Sequence, residues 1–207
     1  MDNFSFFFGF YGLILGLATA ELLTGFAGLA RRFRIREIDR RLLLLALYVF
    51  LDVCSIWIEA FQTLKSTRLR FEDLAAPILV ATFLFLAAAM AFPRDDGELS
   101  ETATYFDRRK GFIAAMLIGA ELSLSMTFKA SYEATFVQKP MVFWLWSIPY
   151  KVAILGSIAS LFFVSRRRSA IVAISIMIAL IVVPYWQNGN FPRWIHAHFD
   201  APTEGTK

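Results

Sequence analysis

The sequence predicts an all-α polytopic membrane protein with six transmembrane helices, and three observations predict it. Of 207 residues, 57% are apolar and 22 are Phe, with a mean hydropathy of +0.56. Several uninterrupted apolar runs approach the ~20 residues that carry an α-helix across roughly 30 Å of hydrocarbon. Basic residues collect at the ends of those runs, where the positive-inside rule places them. A soluble core of this size needs no such runs. The net charge of +4 is therefore read as topological, and no nucleic-acid partner is expected.

The first span, residues 4–30, carries one charge, Glu21. Gly12, Gly16, Ala20, Thr24 and Gly28 recur along it every four residues and predict a small-residue face for close helix packing. No cleavable signal peptide is expected, because Asp2 stands where a basic region would and the run is too long. Six Arg between Arg31 and Arg41 follow.

The second span, 42–64, carries Tyr48, Asp52, Ser55, Glu59 and Gln62 at steps of four, three, four and three. That spacing puts all five on one helical face, and a polar face in lipid must meet protein or water. The third span, 74–92, is almost wholly apolar, with Pro77 in its first turn, where a helix tolerates it. The longest loop comes next, with a short surface helix expected in its second half.

The fourth span, 112–128, carries Glu121 and Ser125. A second four-residue comb runs through it: Gly111, Ala115, Gly119, Ser123 and Thr127. The fifth span, 140–164, carries Tyr150 and Lys151 after Pro149, which should kink the helix and free a carbonyl. The sixth span is 169–186. Residues 1–190 thus form the membrane domain, and 191–207 an interfacial segment and disordered tail. The first, second, fourth and fifth spans are expected to form the core, with the third and sixth peripheral.

Six spans put both termini on one side. Loops after the odd-numbered spans hold 13 Lys or Arg against 7 elsewhere, which places both termini outside. Trp57, Trp144, Trp146, Trp186 and Trp194 then all fall in the outer half, like one interfacial belt. The chain has the character of a small protein of the bacterial inner membrane. An offset of 100 lays Leu17, Ala20, Glu21 and Leu22 over Leu117, Ala120, Glu121 and Leu122. This suggests two inverted three-helix repeats, a transporter architecture.

Glu21, Asp52 and Glu121 each lie about ten residues, roughly 15 Å, from the inner end of their span. Lys151 is near the middle of its own. Each buried charge costs a few kcal/mol unless paired or protonated. One Lys cannot neutralise three acids. The leading expectation is a channel or transporter for protons or small cations, with Glu21, Asp52, Glu121 and Lys151 as the site. Tyr48, Ser55, Glu59, Ser125 and Tyr150 would line the pathway. The second is a non-transporting subunit or scaffold, assembled as a homo-oligomer or with a membrane partner through the small-residue combs. The third is a lipid-modifying enzyme, ranked last because its acids lie far from lipid head groups.

Other chemistry is thinly signalled. No GxSxG, HExxH or P-loop occurs, and no His lies within a span, so no catalytic motif, cofactor or metal is expected. Cys54, the single cysteine, precludes a disulfide within one chain and reads as a small apolar filler. His196, His198 and Asp200 offer only three ligands on a tail. The basic runs at 31–41 and 166–168 are suited to membrane lipid head groups.

Overall fold

A computed structural model describes residues 3–32, 38–64, 75–94, 101–127 and 143–186, with 137 and 141. The described residues are all-helical, with six α-helices and no strand. They are α1 (Asn3–Arg32), α2 (Arg40–Leu64), α3 (Ala75–Ala89), α4 (Thr102–Thr127), α5 (Ile148–Phe163) and α6 (Arg167–Trp186). Phe8–Arg31, Arg40–Ala60 and Thr102–Thr127 are long and apolar enough to cross a membrane. Ala75–Ala89 and Ile148–Phe163 are shorter apolar helices. The protein is therefore a membrane protein by its helices.

Each boundary has a local cause. Asp39 caps α2: its Oδ1 accepts from the Arg41 backbone N–H at 2.9 Å, and its carbonyl accepts from Leu42 N–H at 3.0 Å. At the end of α3, the carbonyls of Met90 and Phe92 both accept from the Tyr105 hydroxyl, each at 3.0 Å. Tyr105 belongs to α4, so one phenol ties the two helices. A π-helical turn, Phe143–Ser147, precedes α5. Pro149 follows in the first turn of α5 and has no N–H to donate, so the carbonyl four residues back loses its α-helical partner and the helix widens. The irregularity expected at Pro149 is thus a π turn on its N-terminal side.

The helices pack in a ring. α3 lies between α1 and α4, α5 between α4 and α6, and α2 closes the ring against α6 and α1. α2 also touches α3 and α4, so it is the helix turned most toward the middle. The core includes Tyr11, Leu15 and Leu22 of α1, Leu45 and Val49 of α2, and Leu84 of α3. It continues through Leu117 of α4, Ile158 of α5 and Ile174 of α6.

Three expectations are corrected here. α3 is not peripheral. It packs more extensively than any other helix, against α4 and α1, because its uniformly apolar surface has no solvated face to keep outside. The loop helix and the fourth span are one continuous helix, α4.

Neither comb forms a single packed face. A strict four-residue repeat drifts about 40° per step on a 3.6-residue helix, so five members spread over roughly 160°. On α1 the buried positions are instead Tyr11, Leu15, Ala18, Leu22 and Leu29, at steps of four, three, four and seven residues, while Ala20 and Thr24 are exposed. A side chain added at Gly16 or Gly28 would meet nothing within 4 Å. Where glycines are in contact they seat aromatic rings rather than helix backbones: Gly12 under Trp57, Gly25 under Phe92, Gly111 near Phe162 and Gly119 under Phe83. Ala115 is exposed and Ser123 buried. The packing lends no support to the repeat, since α1 packs along α3 whereas the extensive partners of α6 are α2 and α5.

Candidate functional site

α2 turns its polar face inward. Tyr48 is 1% exposed and Asp52 3%, one helical turn apart. Ser55, on the same face, spends its hydroxyl on the Asp52 backbone carbonyl at 2.9 Å. Glu59, two turns beyond Asp52, is half-buried. Gln62 has no described side chain.

α4 and α5 supply the other half. Glu121 is buried on α4, and its Oε2 accepts from the Lys151 ammonium of α5 in an interior ion pair. The Lys151 side chain keeps 19% of its surface and Glu121 keeps 7%. Asp52 lies within electrostatic range of Glu121, Lys151 and Glu59. One carboxylate thus pairs with the ammonium, and two more, from a third helix, lie within electrostatic range of it. The flanking hydroxyls are committed to backbone: Ser125 donates to the Glu121 carbonyl at 2.9 Å, and Tyr150 donates to the Leu180 carbonyl at 2.7 Å.

The sequence reading missed Tyr11. It is 2% exposed on α1 and lies within electrostatic range of Glu59 and Asp52. Its signal was a hydroxyl on the face that also carries Leu15, Ala18 and Leu22.

Glu21 is a correction. It does not join Asp52 and Glu121. Its carboxylate accepts from Arg94, beyond the end of α3, at 3.4 Å, and its side chain is 40% exposed. Counting residues along a helix gives no rotation about its axis, and that rotation turns Glu21 away from the inward face that holds Leu15, Ala18 and Leu22.

A second charged cluster clamps one end of the bundle. Buried Arg41 donates to Asp39 through Nη2 at 2.8 Å and reaches Asp107 of α4 through Nη1 at 3.3 Å. Its guanidinium lies 4.6 Å from the centre of the Phe106 ring. Asp39 N–H donates to the Thr102 hydroxyl at 3.1 Å. Lys110 bonds Asp107 at 3.0 Å and the Val164 carbonyl, at the end of α5, at 2.6 Å. Burial alone would raise the Asp39 carboxyl, but the Arg41 hydrogen bonds and the charges of Arg41 and Arg167 hold it below its ordinary value. The arginines of this segment were read as topology and lipid contact, yet Arg41 points inward and joins α2 to α4.

Among the described residues no group of three or more His, Cys, Asp or Glu is disposed to hold a metal ion. His196, His198 and Asp200 lie outside them. Comparison with protein-family models, curated proteins and solved structures found no match.

Proposed function

We propose that all six helices cross a bacterial inner membrane with both termini outside, and that the bundle passes protons or small cations through the Asp52, Glu121 and Lys151 cluster. The proton is the preferred species. One observation carries the reading: Asp52 and Glu121 are both buried, and Lys151 pairs with Glu121 within electrostatic range of Asp52, across three helices. A proton handed from one acid to the other would draw the ammonium toward whichever carboxylate keeps its negative charge. Lys151 thus gates a proton between two acids, with Tyr48, Tyr11 and Glu59 lining the approaches.

The test is flux in proteoliposomes holding only this protein, under proton, K⁺ and Na⁺ gradients imposed in turn. Asp52→Asn should abolish the conducted flux while the protein stays folded. Flux equal in wild type and variant, or none for any ion with folded protein inserted, would sink the reading.

A second reading has its own support. Exposed Ala20 and Thr24 with half-buried Gly16, which has open space above it, form a small-residue surface on α1 that suits assembly with a second copy or a membrane partner. In that case Gly16→Leu breaks an assembly and the interior acids are dispensable.

A further inference from the structure

α3 is short. Its 15 residues rise about 22 Å, less than the roughly 30 Å of hydrocarbon. It stops beside the part of α1 that holds Glu21 and Gly25, and α1 runs on to Arg32. The uncovered end of α1 forms one wall of a cavity of about 570 Å³. Small and apolar groups, Gly28, Ala88 and Phe92 among them, line it. Glu21, Arg31 and Arg94 supply its charge.

The charges are the informative part. Among the described residues, two guanidiniums and one carboxylate give the cavity lining a net charge of +1. The Arg94 side chain is 67% exposed, and its contact with Glu21, at 3.4 Å, is longer than the ~2.8 Å of a strong charged pair. A guanidinium has five N–H donors, so one loose contact leaves capacity for an anion. The α1 surface on the same side, one turn before Glu21, is apolar and exposed at Leu17, 51%. In a membrane that surface faces acyl chains. The cavity therefore joins an apolar trough to an excess positive charge at the depth where α3 ends.

We propose that this cavity binds the phosphodiester head group of an anionic phospholipid. The single negative charge of the head group matches the excess. Arg31 and Arg94 donate to its phosphate, and Glu21 accepts from a head-group hydroxyl. The acyl chains lie along the face of Leu17. The site requires that α1 cross the membrane and is independent of the interior acid cluster.

The experiment is native mass spectrometry of the full chain, with phosphatidylglycerol and phosphatidylcholine titrated separately. The expected result is preferential retention of phosphatidylglycerol, by roughly fivefold for each arginine. Arg31→Gln with Arg94→Gln should abolish the preference. Gly28→Phe should also abolish it by filling the cavity, and it should fold, because its side chain starts into open space. Gly16→Phe starts into equally open space outside the cavity and should retain the preference. Equal retention of both lipids, or a preference that survives the arginine and Gly28 variants, would overturn the proposal. So would displacement by inorganic phosphate, which would mark a free-anion site. Loss of a dimer in Gly28→Phe with lipid retention unchanged would assign the groove to a second copy and equally overturn it.

Discussion

Lys151 of α5 and Glu121 of α4 form an ion pair inside the helical ring, and Asp52 of α2 lies within range of both. The two paired residues lie 30 apart in sequence and join neighbouring helices. Proton exchange through this cluster is the central claim.

The pair should show its coupling in stability. Lys151→Met leaves Glu121 buried without a partner and should cost about 3–5 kcal/mol. The double variant Lys151→Met with Glu121→Gln removes both charges and should recover most of that loss. Reversible unfolding in mixed detergent micelles, read as a double-mutant cycle, measures it. Additive losses would mean that the two residues act independently.

The four-three spacing of α2 made Tyr48 and Asp52 legible as an inward face, because a helix period fixes which residues share a side. Counting residues from span ends brought Glu121 and Lys151 to one depth, and the structure pairs them. Glu21 gave the same count from its span end and yet pairs with Arg94 instead. Depth is a one-dimensional quantity, whereas the rotation of α1 follows from its packing on α2 and α3. The glycine combs do not mark the faces packed within the bundle for a related reason, since a repeat of four does not track a period of 3.6. Gly25, outside the comb, is the α1 glycine that a ring covers most closely.

That contrast is testable. Gly25→Ala drives a methyl into the Phe92 ring, which already packs edge-on against Phe26 at 4.9 Å, and should destabilise by about 1–3 kcal/mol. Gly16→Ala meets open space and should stabilise by up to about 1 kcal/mol through helix propensity. Thermal unfolding of the two variants in one detergent compares them, and equal effects would contradict the assigned rotation of α1.

Tyr105→Phe removes the donor shared by the Met90 and Phe92 carbonyls while keeping the ring. It should cost about 1–3 kcal/mol and loosen the end of α3. Hydrogen exchange should rise at the last turn of α3 more than along α5. Uniform exchange in the variant would show that the phenol does not hold this junction.

Asp39 predicts an acid-sensitive clamp. Its folded pKa lies below the ordinary 3.8, so its contribution is complete above the unfolded value and is lost as pH falls through the folded one. Asp39→Asn removes this dependence and the charge paired with Arg41. Stability of the wild type should therefore fall more steeply below about pH 4 than that of the variant. Parallel curves would mean that Asp39 has no shifted carboxyl.

The most direct measurement of the central claim is proton uptake into proteoliposomes under an imposed potential, comparing wild type with Glu121→Gln. Circular dichroism should show both proteins helical and inserted. The account predicts uptake in the wild type and none above protein-free vesicles in the variant. Uptake that persists unchanged in Glu121→Gln would contradict a proton pathway through the Glu121, Lys151 and Asp52 cluster.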